Sequence, residues 1–152
     1  MLVEGQFIIE APRERVWRFI TDPAIMAPCV PGCEAIESIG NITELAQSWD
    51  SGPIKVSFNL EVEITEEKAP ELVTFVTRGE EGSRSSVVSA KSSLRLDALS
   101  AQQTEVRYSS DVNGRLGKFG SGLMRKKADE LGKQFGERFR ACVIKTDQME
   151  NI

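Results

Sequence analysis

The sequence predicts an α+β fold, a curved antiparallel sheet of seven strands that receives one long C-terminal helix. Three observations predict it. Within residues 114–145, Met124, Ala128, Leu131, Phe135, Phe139 and Cys142 recur every three or four residues, which at about 100° per residue places them on one helical face. Between residues 54 and 64, Ile54, Val56, Phe58, Leu60, Val62 and Ile64 alternate without a break with Lys55, Ser57, Asn59, Glu61 and Glu63. That is the pattern of a strand with one buried face and one wet face. The remainder reads mostly as strands between short turns, in the order strand, helix, six strands, helix.

Taken in order, residues 2–10 alternate, with Val3, Gly5, Phe7 and Ile9 on one side, and form the first strand. Pro12 suits the first position of a helix, where its missing N–H costs nothing. Val16, Trp17, Phe19 and Ile20 give that helix an apolar side, and Asp22-Pro23 ends it. Residues 24–28 allow one further short turn, and Pro31-Gly32 turns the chain into a strand near 34–39. Gly40-Asn41 reverses it into residues 42–49, and Ser51-Gly52-Pro53 into the alternating strand 54–64. Residues 72–78 form a fifth strand, followed by a turn at 79–82; residues 86–97 and 104–113 form the sixth and seventh. In the last segment Leu116, Phe119 and Leu123 are rotated away from the apolar seam, so a kink or irregular start is expected near Gly117, Gly120 and Gly122. Gly132 and Gly136, four apart, make a smooth ridge suited to close packing.

At 152 residues, 40% apolar and 28% charged, the chain reads as one domain of ordinary globular composition with enough residues for a real core. No run approaches the roughly 18 apolar residues of a membrane span, and no leader pattern opens the sequence. A cytoplasmic location is expected. The net charge of −4 hides an asymmetry: residues 114–145 hold nine Lys or Arg against three Asp or Glu, and the remainder ten against twenty. Lys118, Arg125, Lys126, Lys133 and Arg140 gather opposite the apolar seam. They form either a surface for an acidic partner or anionic lipid, or an ordinary solvated helix face. No nucleic-acid partner is expected.

There is no histidine, which removes the commonest general base and the commonest metal ligand. Cys29, Cys33 and Cys142 cannot close a four-thiolate site, and their odd number argues for free thiols. Gly114, Gly117, Gly120 and Gly122 lack the Gly-Lys-Ser/Thr of a phosphate loop. No paired carboxylates or activated nucleophile stand out by spacing, so neither a catalytic residue nor a metal or catalytic cofactor is expected.

Several positions expected to face the concavity are small or polar: Gly5, Thr77, Ala90, Ser92 and Ser110. Small residues there leave space between sheet and helix, unless large neighbours such as Trp49 and Phe58 fill it. If the space is open, the expected lining is Trp49, Phe58, Phe75, Ala90, Ser92 and Tyr108 from the strands. Leu116, Phe119, Leu123, Met124 and Leu131 are expected to line it from the helix. The aromatic members suit a flat, uncharged ring better than a charged metabolite.

Ala11-Pro12-Arg13-Glu14-Arg15-Val16-Trp17 after the first strand, Asp22-Pro23 and Pro31-Gly32-Cys33-Glu34 carry a resemblance that covers nearly the whole chain, as do Gly52-Pro53-Ile54-Lys55-Val56 and Gly114-Arg115-Leu116-Gly117. The sequence resembles the carbon monoxide dehydrogenase CoxG family of the START-like (SRPBCC), helix-grip superfamily. The resemblance implies a curved sheet gripping the last helix. It also implies an accessory role: assisting a molybdenum hydroxylase at the cytoplasmic membrane and holding a lipophilic ligand, such as a quinone. Larger members carry an extension after the last helix that serves as a tether. With the sequence ending at Ile152, the basic helix is expected to give only weak, salt-sensitive attachment. START-like domains also support cyclase or aromatase chemistry on hydrophobic substrates, and that is the alternative expectation.

Overall fold

The computed structural model describes the backbone of residues 1–51, 54–81, 86–116 and 121–150. Side chains are described within those ranges except at 35, 49–51, 54–56, 86, 115–116, 121–124 and 146–150. The chain runs β1 (Leu2–Ile9), α1 (Arg13–Ile20), α2 (Pro23–Met26) and a 3-10 turn (Ala27–Cys29). Six strands follow, β2 (Cys33–Ile39), β3 (Ile42–Ser51), β4 (Ile54–Lys68), β5 (Leu72–Glu81), β6 (Ser86–Ser100) and β7 (Gln103–Leu116), and then α3 (Ser121–Glu150). The seven strands form one antiparallel sheet in the order β1-β7-β6-β5-β4-β3-β2, a meander whose first strand closes onto its last. The seven-stranded sheet and the long C-terminal helix match the expected architecture.

The element bounds differ from expectation at places with local causes. Pro12 is the cap of α1 and not its first helical residue, with ψ of 148° still extended. Strict alternation stops at Ile64, yet β4 continues to Lys68, because a bulge between Ile64 and Glu66 shifts the register against β5. The expected turn at 79–82 is corrected: β5 runs on to Glu81, and Gly79 pairs with Leu60 on one side and Val88 on the other. A Cβ there would meet the end of the Leu60 side chain, a close approach that suits glycine within a strand. Likewise Gly114 to Leu116 belong to β7, opposite Val88 to Ser86 of β6, so Leu116 is not a helical residue; the expected irregular start near Gly117 and Gly120 lies outside the described residues.

The densest core occupies one end of the concave face. Ile9, Val16, Leu96, Val106, Phe139 and Val143 are each at most 1% exposed, which joins β1, α1, β6, β7 and the C-terminal half of α3. Thr104, fully buried among them, donates its hydroxyl hydrogen to the Ala11 carbonyl at 2.8 Å. Among the described residues the backbone of α3 comes nearest to β1, α1 and the 3-10 turn, and only its C-terminal half packs side chains into the dense core. The N-terminal half of α3 and the centre of the sheet are therefore left facing each other across a gap.

Candidate binding cavity

That gap is a cavity of about 360 Å³, within the range of small-molecule sites. Strand periodicity builds one wall. Thr43, Leu45 and Gln47 of β3, Leu60, Val62 and Ile64 of β4, and Val73, Phe75 and Thr77 of β5 project from alternate positions of three adjacent strands. Ser92 and Leu94 of β6 and Tyr108 and Ser110 of β7 extend the wall towards β1. Leu131, Gly132 and Phe135 of α3 form the roof, and the segment from Ile20 to Pro31, including Pro23, Met26, Ala27 and Val30, forms one end. None of the described residues bordering the space is Asp, Glu, Lys or Arg.

Two glycines seat the one ionisable side chain among the described residues of the lining. Tyr108 pairs with Gly5 across β7 and β1, and a Cβ on Gly5 would collide with the Tyr108 ring. Gly132 of α3 meets the same ring from above, where an added Cβ would stand 3.1 Å from the phenolic oxygen. One turn on, Gly136 receives Phe7 in the same way, and the Phe7 and Tyr108 rings lie 6.5 Å apart. The smooth ridge of Gly132 and Gly136 is thus a pair of notches for two sheet aromatics. Burial, with a smaller contribution from the Asp129 carboxylate, raises the Tyr108 pKa above its ordinary value, so the phenol stays neutral.

Of the strand residues expected to line the space, Phe75, Ser92 and Tyr108 do so, as does Leu131 of the helix. Phe58 and Ala90 do not. Phe58 is 1% exposed but does not border the cavity, and Ala90 lies between Thr77 and Val112 in the sheet, also without bordering it. The side chains of Trp49, Leu116, Phe119, Leu123 and Met124 lie outside the described residues. The sequence reading missed Gln47, Thr43 and Leu45, although they share a strand face with Trp49 by period two. It also missed the wall from Ile20 to Pro31, whose place depends on tertiary packing.

Of the expected basic surface, Lys126 and Lys133 are exposed, and Lys118 lies outside the described residues. The other two members do a structural job. Arg125 donates to the Leu2 carbonyl at 3.2 Å, and Arg140 donates to the Ile8 carbonyl at 2.9 Å while lying over the Phe7 ring. Both carbonyls belong to β1, an edge strand with nothing beyond it in the sheet. Among the thiols, Cys29 is buried and donates to the Ile25 carbonyl at 3.4 Å. Burial, and after it the adjacent Cys142 thiol, raises its pKa to about 11. Among the described residues no group of three Cys, Asp or Glu is placed to hold a metal ion, and no helix is long and apolar enough to cross a membrane.

Residues 5–144 match the family model of CoxG, described as the G subunit of carbon monoxide dehydrogenase. The comparison with curated proteins gave no match. Among solved structures, a conserved protein from Geobacillus kaustophilus superposes with a TM-score of 0.87 at 21% identity, over 96% of this chain and 97% of that one. A START superfamily protein from Mycobacterium smegmatis gives 0.70 at 13% identity, over 95% and 98%. The ZhuI aromatase/cyclase from Streptomyces sp. R1128 gives 0.64 at 15% identity, over 100% and 96%. At such identities these likenesses establish the START-like fold and nothing finer.

Proposed function

Because the chain belongs to the carbon monoxide dehydrogenase CoxG family, we propose that it is an accessory protein that holds an uncharged, lipophilic ring compound for a molybdenum hydroxylase. A quinone head is the ligand type with which to begin. The observation that carries this reading is the cavity itself: about 360 Å³ bordered mainly by aliphatic, aromatic and hydroxyl side chains, with the Gln47 amide and no charged residue among the described ones. A carboxylate or phosphate placed there would lose its hydration without a counter-charge, at a cost far above the hydrophobic gain. A flat ring instead meets Phe75, Phe135 and Tyr108 together with the aliphatic faces of Leu60, Val62 and Ile64.

A cyclase-type enzyme would require polar, titratable groups facing the substrate. Among the described residues Tyr108 is the single ionisable group of the lining, and no carboxylate or cationic side chain borders the cavity to act with it. Binding is therefore favoured over catalysis. Attachment to an acidic partner or anionic lipid through Lys126 and Lys133 completes the proposed accessory role.

Titration with a naphthoquinone, followed by quenching of Trp17 and Trp49, tests the ligand-binding reading. The wild type is expected to show saturable quenching. Val62→Trp, which places a ring in the cavity, should keep the fold by circular dichroism and lose most of the affinity. Unsaturable quenching in the wild type, or undiminished affinity in the variant, contradicts the reading.

A further inference from the structure

We propose that Gln47 reads a hydroxyl group on the bound molecule, so that the cavity favours a neutral aromatic alcohol or hydroquinone over a ring of the same shape without an O–H. The inference rests on the ligand-binding reading above and narrows the ligand class.

Among the described residues only Thr43, Gln47 and Thr104 are polar and at most 9% exposed. Two of the three have their hydroxyls engaged within the protein. Thr104 donates to the Ala11 carbonyl, and Thr43 pairs with the Ser38 hydroxyl at 3.0 Å. Gln47, 7% exposed, is engaged at one end only: its Nε2 donates to the Pro31 carbonyl at 2.9 Å. That bond fixes the amide orientation. A backbone carbonyl can only accept, so the NH2 group must face Pro31 and Oε1 must point elsewhere. Oε1 accepts a hydrogen bond from no described residue, and both Gln47 and Pro31 border the cavity.

A ligand that covers this oxygen without bringing a hydrogen leaves it unpaired, which is unfavourable, so the matching ligand carries a donor there. No charged side chain among the described residues borders the cavity, so an ammonium donor would be an unpaired buried charge; the fitting donor is neutral, and the O–H of an aromatic alcohol is the kind that a reduced quinone bears. The other polar groups of the wall are less selective. The Ser92 and Ser110 hydroxyls satisfy each other at 2.8 Å, and that of Thr21 donates to the Trp17 carbonyl. The hydroxyls of Thr77 and Tyr108 can donate or accept, and so suit a carbonyl as well as an alcohol. The oriented Gln47 oxygen is the acceptor that distinguishes them. Of a quinone and its two-electron, two-proton reduced form, the reduced form alone carries O–H groups.

Naphthol and methylnaphthalene, nearly equal in shape and differing in the O–H, provide the test. For each protein the ratio of the methylnaphthalene Kd to the naphthol Kd is measured. The ratio should be about tenfold higher for the wild type than for Gln47→Leu, the size of one buried neutral hydrogen bond. The variant also loses the anchor to Pro31. A second measurement on the wild type therefore stands independently: the side-chain amide resonances of Gln47 should shift on adding naphthol and stay in place with methylnaphthalene. An equal ratio in a folded variant, or identical resonance shifts with the two probes, overturns the proposal while leaving the cavity a ligand site. Failure of both probes to bind the wild type overturns it together with the ligand-binding reading.

Discussion

Gly5 shows how one absent side chain shapes the cavity wall. The Tyr108 ring crosses the neighbouring strand at the place where any Cβ on Gly5 would stand, and its hydroxyl comes to rest beside Gly132. Gly5→Ala should therefore destabilise the protein by about 1–3 kcal/mol, the usual cost of overpacking. Most of that cost should vanish when Tyr108 is also replaced by Ala, as in any pair of residues in direct contact. Urea denaturation of the wild type, the two single variants and the double variant measures the coupling; additive costs would mean that the ring does not occupy the notch. Tyr108 was legible in the sequence because it alternates with Arg107 and Ser109 on a strand whose other face is charged. Gln47 was not. A glutamine in a strand reads as a wet position, and its burial depends on the turn at Pro31, which no local pattern places beside β3.

Among the elements, the pairing of α3 with β1 explains both the shape of the site and the fate of the basic face. Arg125 and Arg140 are fifteen residues apart on a helix, about 22 Å, while Leu2 and Ile8 are six apart on a strand, about 20 Å. Two arginines can thus hold the two ends of one edge strand by its outward carbonyls, which also blocks that edge from pairing with another chain. Charge counting could not separate such residues from Lys126 and Lys133, because the distinction is set by which face meets β1. The two sets should respond differently to substitution. Lys126→Glu with Lys133→Glu should leave stability nearly unchanged and weaken co-sedimentation with anionic vesicles at low salt, as raised salt should in the wild type. Arg140→Met should instead lower stability, by about 1–2 kcal/mol for a charge-assisted bond in a half-buried setting. Loss of vesicle binding in Arg140→Met at unchanged stability would assign that arginine to the surface. The apolar seam through Leu131, Phe135 and Phe139 was readable because helical period is a local property. The start of α3 was not, because the sheet extends β7 through Gly114 to Leu116 by pairing with β6.

Over the whole molecule, one concave sheet serves two purposes. At one end Ile9, Leu96, Val106, Phe139 and Val143 close into a dense core with α1, and in the middle the same face stands away from α3 and leaves an uncharged space. The fold class was legible because the strands announce themselves by alternation or turn residues, and the last helix by its seam. The cavity was legible only as a surplus of small residues on inward positions. Whether such a surplus leaves a void or is filled depends on how neighbours pack: Ser92 borders the space, whereas Ala90 and the buried Phe58 do not. If this space holds a neutral lipophilic molecule, native mass spectrometry of the detergent-free protein will reveal it. The expected spectrum shows a neutral small-molecule adduct that organic extraction removes and that a naphthoquinone or naphthol replaces as a single bound copy. A mass equal to that of the bare chain before extraction, with no adduct on adding either compound, would contradict the proposed role of the cavity.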